Sequence, residues 1–216
     1  MDSSPHRPGQ SHRSIDNPRD NEGVVMTMIV EAALEKLKEG NTRFVKGQMQ
    51  HPNQKPEYVK ELVKGQRPFV CILTCSDSRV VPELIFDAGV GDVFCIRNAG
   101  NITDPHVLGS IQYAVEYLDV PVVLVLGHTH CGAIAAAISK KKVEGMLCSV
   151  LDSLEPVICA TPKGDEHYHD CVVNNAKRGV EDIMNSIPSC KERIRSKKLA
   201  VQAAIYRIED GVVDFL

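Results

Sequence analysis

The stretch that decides the fold is residues 68–80, which read PFVCILTCSDSRV. Its first part, 68–74, is an apolar run, and polar residues follow it directly. Three further apolar runs are bounded by turn residues in the same way, at 92–97, 121–127 and 199–208. A strand that is apolar along its whole length is buried on both faces, which is typical of a parallel sheet covered by helices. The sequence therefore predicts four strands inside such a sheet.

Between these runs, apolar residues recur at helical spacing. Asp104 followed by Pro105 is typical of an N-cap and a first helical residue, and residues 107–118 continue as one apolar stripe. Further helices are predicted over 30–45, 56–63, 132–139, 147–158 and 172–187. Helices that alternate with strands indicate an α/β domain with a mostly parallel central sheet.

Composition changes only once along the chain. Residues 1–25 hold few sizeable apolar groups, so they are predicted to be a disordered leader. A transit peptide for organellar import is the alternative, although such peptides are poor in acids and this stretch contains four. Residues 26–216 are predicted to be a single domain. Near its end, Asp210-Gly211 predicts a tight hairpin that makes 212–215 a short antiparallel edge strand.

Composition also excludes several classes of function. Eight cysteines in 216 residues lie well below the density of a disulfide scaffold, about 8–10%, and no hydrophobic signal segment opens the chain. We therefore interpret them as thiols in a reducing, cytoplasmic compartment. The formal net charge of −3 argues against nucleic acid as a partner, because phosphate binding needs a basic stripe. No apolar stretch approaches 18 residues, so no membrane span is expected.

Two loops that follow predicted strands hold the polar residues. Residues 75–80 come directly after the run at 68–74, and GHTHCG at 127–132 follows the run that begins at Pro121. Ligands of open parallel sheets bind beyond the carboxyl ends of strands, where successive strands run outward in opposite directions. If these two strands are neighbours, three side chains converge there: Cys75, His128 and Cys131. Thiolate and imidazole together favour zinc over magnesium or calcium.

The number of ligands indicates what such a metal does. Structural zinc sites are closed by four protein ligands, whereas catalytic sites have three protein ligands and one open position. In this chain, water or Asp77 could take the fourth position. Asp77 could instead accept a hydrogen bond from metal-bound water while Arg79 holds its carboxylate; an ordinary surface ion pair is the alternative. Taken singly, Cys75 would be a packed thiol and His128 a satisfied loop histidine. His130 is the rival ligand, but alternation in an extended segment directs it opposite to His128.

At these loops the sequence closely resembles the β-class carbonic anhydrases. CSDSRV at 75–80 and HTHCG at 128–132 match the two zinc-binding motifs of that family, and residues 94–101 and 111–115 are similar to family segments. The similarity extends from about Leu34 to the C-terminus. The resemblance implies the family's fold and its site residues: zinc ligands Cys75, His128 and Cys131, with Asp77 and Arg79 beside the zinc-bound water.

Two positions relate this chain to branches of the family. The branch with a bicarbonate regulatory site has tryptophan where this chain has Ile72, which argues against that regulation but leaves an Asp77-ligated closed form open. The other branch has a glutamine nine residues before the first zinc cysteine, and Gln66 stands there. The resemblance implies a substrate pocket completed by Phe94, Ala99 and Tyr113. Core packing is the alternative for Phe94 and Tyr113.

The reaction implied by the resemblance is reversible hydration of carbon dioxide to bicarbonate and a proton, by hydroxide on one zinc ion per chain. Relatives that hydrolyse carbon disulfide or carbonyl sulfide at the same metal supply one alternative. A non-catalytic zinc-binding structural or regulatory protein is another. Family members are dimers or higher assemblies with pockets at the subunit interface, so a homodimer or homotetramer is implied, and the helix over 30–45 is consistent with embracing the partner.

Overall fold

The computed structural model describes residues 18–140 and 142–216, with side chains described from Ile29 onwards. Five strands form one sheet: β1 (Val70–Cys75), β2 (Val93–Asn98), β3 (Val122–His128), β4 (Ala200–Tyr206) and β5 (Val213–Phe215). Their order across the sheet is β2-β1-β3-β4-β5, and every pair is parallel except β4 with β5. This arrangement confirms the predicted mostly parallel α/β fold with its antiparallel C-terminal edge strand.

The described residues contain eight α-helices: α1 (Pro18–Val45), α2 (Pro56–Glu61), α3 (Pro82–Ile85), α4 (Pro105–Glu116), α5 (Gly132–Ile138), α6 (Leu147–Ala160), α7 (His167–Ser186) and α8 (Pro188–Arg195). Single 3₁₀ turns lie at Leu62–Lys64 and Ala99–Asn101. The predicted cap of α4 is confirmed, because the Asp104 carboxylate accepts the N–H groups of His106 and Val107 at 2.8 Å each. Within this part of the chain, no helix combines the length and apolarity needed to cross a bilayer.

Helix α1 begins earlier than the sequence pattern predicts. It starts at Pro18 rather than Val30, so residues 18–25, predicted as part of a disordered leader, are helical. Proline suits a first helical position, because its fixed φ is helical and its missing N–H would have no partner in the first turn. This signal does not depend on apolar spacing, which is why the periodicity missed it. Residues 1–17, the rest of the predicted leader, lie outside the described residues.

Burial of the strands follows their position in the sheet. Every residue of β1 and of β3 is buried, as the apolar runs predict for interior strands. The residues of β2 are instead half-buried, with Arg97 exposed. The expectation of burial on both faces is therefore wrong for β2, because this strand forms an edge of the sheet and pairs only with β1. An apolar run does not reveal whether its strand lies at the centre or at the edge.

Side chains of β1 alternate between two apolar clusters, one on each face of the sheet. Cys71, Leu73 and Cys75 belong to the cluster that α4 to α8 cover, whereas Val70 and Ile72 belong to the cluster that α1 and α3 cover. Both clusters are apolar, so each face of β1 contributes to stability, by about 1.5–3 kcal/mol for a fully buried leucine or isoleucine side chain. The Cys75 side chain is consequently placed on the same face as α5 to α7.

The order of the strands creates a crevice between β1 and β3. After β1 the chain moves outward to β2, then crosses back to β3 on the other side of β1. Parallel strands end at the same edge of a sheet, so the last residue of β1, Cys75, and the last of β3, His128, share that edge. This is the switch point at which open α/β sheets bind ligands.

Candidate metal centre

Three ligand side chains meet at this switch point. Cys75 ends β1, His128 ends β3, and Cys131 is the N-cap residue of α5. One sulfur or nitrogen atom from each residue lies within 4.8 Å of the other two, and all three side chains are buried. The structure thus brings together the three residues that the sequence predicts as ligands, because β1 and β3 are hydrogen-bonded neighbours.

The His128 ring is oriented with one nitrogen free. Its Nδ1 donates a hydrogen bond to the carbonyl oxygen of Thr129 at 2.7 Å, so the lone pair is on Nε2. Nε2 is buried and has no hydrogen-bond partner among the described residues. An unsatisfied buried polar atom costs about 1–3 kcal/mol. A metal ion bound to Nε2 would remove that cost, and the backbone contact at Nδ1 is the usual support of a ligating histidine.

The two sulfur atoms differ in their affinity for a proton. The pKa of Cys75 is lowered to about 4, mainly because the Cys131 thiol hydrogen-bonds to its sulfur, and the backbone N–H of Gly100 also donates to it at 3.3 Å. The pKa of Cys131 is raised by the adjacent Cys75 thiolate and by burial. The pair therefore carries one thiolate and one shared proton, which a bound cation would displace. Two sulfurs and an imidazole fit zinc, since this set of donors suits a borderline-soft ion.

Asp77 lies beside these ligands and is held by Arg79. Its Oδ1 accepts the Arg79 backbone N–H at 3.0 Å and Nε at 2.9 Å, and its Oδ2 accepts Nη2 at 2.8 Å. The guanidinium holds the pKa of Asp77 well below its usual range. Arg79 also donates to the carbonyl oxygen of His130 at 3.1 Å, which ties the first loop to the second. The carboxylate is therefore ionised and fixed in position, unlike one in an isolated surface pair.

His130 takes a different direction from His128. Its Nε2 lies 2.7 Å from Oε1 of Glu209, while the other carboxylate oxygen accepts the Thr129 hydroxyl at 2.7 Å. The ring of His130 is mostly exposed, and its nitrogen atoms are not part of the group formed by Cys75, His128 and Cys131. This contact with Glu209 leaves His128 as the histidine of the metal centre.

The predicted substrate-binding residues do not all lie together in one chain. The rings of Phe94 and Tyr113 are neighbours, with centroids 6.2 Å apart, at the β2 edge, and Ala99 begins the turn that follows β2. Gln66 is exposed and precedes β1, whereas Cys75 ends it. A strand of six residues is about 20 Å long, so Gln66 and the metal centre lie at opposite ends of β1.

Three functional side chains or backbone groups were missed by sequence reasoning. Arg97 of β2 donates to the carbonyl oxygens of Asp77 at 2.9 Å and Cys75 at 3.3 Å, and so supports the first loop. Gly100 donates to Cys75, as described above. Asn175 of α7 donates to the carbonyl oxygen of Gly100 at 2.9 Å. In the sequence, Arg97 differs from its neighbours only as a single charge inside an apolar run, and Asn175 only as an amide on the apolar stripe of a helix.

Comparison with known proteins decides the family. Residues 70–213 match the family model described as carbonic anhydrase. The structure superposes on a tetrameric β-carbonic anhydrase from Sordaria macrospora with a TM-score of 0.67 and 31% identity, covering 75% of this chain and 87% of that chain. This chain belongs to the β-class carbonic anhydrase family. All three residues of the candidate metal centre lie within the matched range.

Two bacterial relatives match this chain over most of its length. Carbonic anhydrase 2 of Mycobacterium tuberculosis is 39% identical over 185 residues, which cover 83% of this chain and 89% of the relative. The carbonic anhydrase of Mycolicibacterium smegmatis is 35% identical over 188 residues, which cover 85% and 91%. This chain is therefore a member of an enzyme family with a candidate Cys-His-Cys metal site.

Proposed function

We propose that this protein catalyses the reversible hydration of carbon dioxide to bicarbonate and a proton, with one zinc ion held by Cys75, His128 and Cys131. The observation that carries the proposal is the convergence of these three ligand atoms within 4.8 Å at the carboxyl edge of the sheet. The buried, unpartnered Nε2 of His128 supports a metal ion there. Membership of the carbonic anhydrase family supports the reaction.

Cys75, His128 and Cys131 would hold a zinc ion, which would act as a Lewis acid and lower the pKa of water enough to provide a nucleophile for carbon dioxide near neutral pH. Asp77 would orient that water. Its Oδ1 already accepts two hydrogen bonds from Arg79, whereas Oδ2 accepts one, so Oδ2 keeps the freer lone pair. Because Arg79 keeps the pKa of Asp77 low, the carboxylate would accept a hydrogen bond from this water but would not take up its proton. The proton therefore leaves the site by another group or by solvent.

Asp77 is held by Arg79 and is not grouped with the three candidate ligands. Its oxygen atoms are not part of the compact ligand group formed by Cys75, His128 and Cys131. Three donor groups of Arg79 hold the carboxylate instead. Direct ligation of a metal ion by Asp77 would require these hydrogen bonds to break, so we infer that Cys75, His128 and Cys131 would hold the ion and that Asp77 would act beside it.

We infer that the working form is a homodimer or homotetramer whose substrate pockets lie between subunits. Gln66 lies too far along β1 to reach the metal centre of its own chain, so it would serve the centre of a second copy. Phe94, Ala99 and Tyr113 would supply the apolar wall, which suits a small uncharged molecule such as carbon dioxide. The half-exposed Tyr113 ring and the open edge of β2 support this, because both are available to a second subunit.

We further infer that the domain predicted over residues 26–216, extended to Pro18 so that it includes all of α1, is the single zinc-binding domain, and that the protein works in a reducing compartment such as the cytoplasm. All eight cysteines are free thiols. Cys71 and Cys190 are fully buried, and burial raises the pKa of Cys190 to about 11, so these two are inert packing groups. Such a set of unpaired thiols is typical of a protein that is kept reduced.

The proposed function is tested by stopped-flow hydration of carbon dioxide on zinc-loaded protein. The Cys75→Ser variant should lose zinc and activity, whereas Cys159→Ser, at an exposed cysteine outside the metal centre, should keep both. Carbonyl sulfide and carbon disulfide are offered in parallel, and faster turnover of either compound would replace the proposed substrate. Full activity of Cys75→Ser, or tight zinc binding without turnover of any of the three substrates, would overturn the proposal.

A further inference from the structure

Helix α7 carries one buried amide side chain on its apolar face. The buried residues of α7 are Cys171, Val172, Asn175, Ala176, Gly179 and Ile183, and Asn175 is the only one with a polar amide side chain. It is 6% exposed. Burial of an amide is unfavourable unless its groups are hydrogen-bonded, so an apolar residue would normally be preferred here. The position therefore requires a reason for asparagine.

Asn175 is linked to a metal ligand through a single residue. Its Nδ2 donates to the carbonyl oxygen of Gly100 at 2.9 Å, and the N–H of Gly100 donates to Sγ of Cys75 at 3.3 Å. Both bonds are buried. The two bonds act on the peptide groups at either side of Gly100, and together they connect α7 to the end of β1.

Gly100 is a residue whose conformation needs such support. Its φ is +75°, in the left-handed region that glycine adopts with little cost but does not strongly prefer. A Cβ atom at this position would lie 3.2 Å from side-chain atoms of both Ala133 and Leu154, so another residue type would crowd the turn. Packing alone limits the space around Gly100, but a hydrogen bond to its carbonyl oxygen fixes the direction of its peptide groups.

We propose that Asn175 is a positioning residue for the metal centre, because it holds Gly100 so that the Gly100 N–H stays on the Cys75 sulfur. This inference rests on the metal centre of the proposed function. A hydrogen bond to a ligating thiolate stabilises its charge and orients its lone pairs, and such outer contacts commonly change metal affinity by about 10–100-fold. Asn175 itself does not contact a ligand atom, so its effect passes through Gly100.

The test uses the full-length protein loaded with ¹¹³Cd, whose NMR chemical shift reports directly on its sulfur ligands. Asn175→Leu keeps the side chain branched at Cγ but removes the donor. Asn174→Leu is the matched control, because Asn174 is the neighbouring amide on α7 and donates to the Thr161 hydroxyl at 3.0 Å instead. We expect Asn175→Leu to shift the ¹¹³Cd signal, to speed hydrogen exchange of the Gly100 amide by at least about tenfold, and to weaken cadmium binding about tenfold. The control should change none of the three.

A folded Asn175→Leu protein with the wild-type ¹¹³Cd shift and wild-type Gly100 exchange would overturn the positioning role. If this variant does not fold, the wild-type protein gives the same test through scalar couplings across the hydrogen bonds. Couplings from Asn175 Nδ2 to the Gly100 carbonyl carbon, and from the Gly100 amide proton to ¹¹³Cd, support the proposal, and absence of either overturns it. Failure of the wild-type protein to bind cadmium at Cys75 would instead reject the metal centre itself, and with it the proposed function.

Discussion

The guanidinium of Arg79 holds both carboxylate oxygens of Asp77, with Nε 2.9 Å from Oδ1 and Nη2 2.8 Å from Oδ2. The same Nη2 reaches the carbonyl oxygen of His130 in the second loop of the site. Arg79 therefore fixes the carboxylate relative to both loops that carry metal ligands. About half of the arginine side chain is exposed, so we assign this contact a role in position and charge rather than in stability.

Removal of this arginine should lower activity without removal of the metal. Arg79→Ala frees the Asp77 carboxylate, and the pKa of Asp77 then rises towards its ordinary value of about 3.9. Asp77 stays ionised at pH 7.5 in both proteins, so a loss of activity there reports the fixed position of the carboxylate and the charge of the guanidinium, not protonation of Asp77. We expect kcat/KM to fall about 10–100-fold with unchanged zinc content, measured by stopped-flow hydration and metal analysis. Arg207→Ala is the control, since Arg207 pairs with Asp210 and Asp214 outside the site. Equal activity of the Arg79→Ala and Arg207→Ala variants would contradict the prediction.

Two inactive variants should restore activity when they are mixed. Gln66→Ala lacks the proposed substrate contact and Cys75→Ser lacks a metal ligand, yet a mixed dimer would join an intact Gln66 to an intact Cys75 at one of its two sites. Equal mixing after subunit exchange should therefore recover roughly a quarter of wild-type activity. Mass spectrometry of the intact assembly checks that mixed dimers form. Mixed dimers without recovered activity would show that Gln66 does not serve a second copy.

Two helical glycines should respond to alanine with opposite sign. A Cβ on Gly40 of α1 would lie 1.9 Å from the carbonyl oxygen of Phe86, so Gly40→Ala forces α1 away from the end of α3. We expect a loss of about 3 kcal/mol in the free energy of unfolding by urea. Gly109 of α4 has open space around the same position, so Gly109→Ala should gain about 0.5–1 kcal/mol from helix propensity. Equal effects at the two sites would reject this account of how α1 packs.

A buried ion pair should make stability depend on pH. Asp87 is 3% exposed, and although burial raises the pKa of its carboxyl, Arg43 and the backbone N–H groups of Gln50 and His51 lower it overall. The folded-state pKa is then below the unfolded value of about 3.9, so this stabilisation is present above that pH and is lost as pH falls through the folded-state pKa.

Asp87→Asn should accordingly lower the free energy of unfolding by about 2 kcal/mol at pH 7, with a smaller difference from the wild type in acid. Urea unfolding across pH measures both. Asp119→Asn is the control, because Asp119 pairs with Arg193 but is largely exposed, and we expect it to change stability by less than about 0.5 kcal/mol. A pH-independent difference at Asp87 would contradict the ionic explanation.

Much of the site was predictable because its residues directly follow two strands, and each strand is indicated by an apolar run of neighbouring residues. The apolar runs before Cys75 and before His128 indicate strands, and the chemistry of the motifs indicates zinc. Arg97 and Asn175 gave no comparable signal, since each acts on a residue 20 or more positions away: Arg97 on Asp77 and Asn175 on Gly100. Contacts between such distant residues depend on how strands and helices pack, which residue spacing does not record.

By itself the sequence determined the strands, most of the helices and the chemical identity of the ligands, because apolar periodicity and side-chain donors are local properties of the chain. Only the tertiary structure decided that β1 and β3 are neighbours, which is what turns Cys75, His128 and Cys131 into one centre. It also decided that β2 is an edge and that Gln66 lies at the far end of β1. Strand order is set by the joint burial of both faces of the sheet, and that free energy belongs to the packed chain rather than to any one segment.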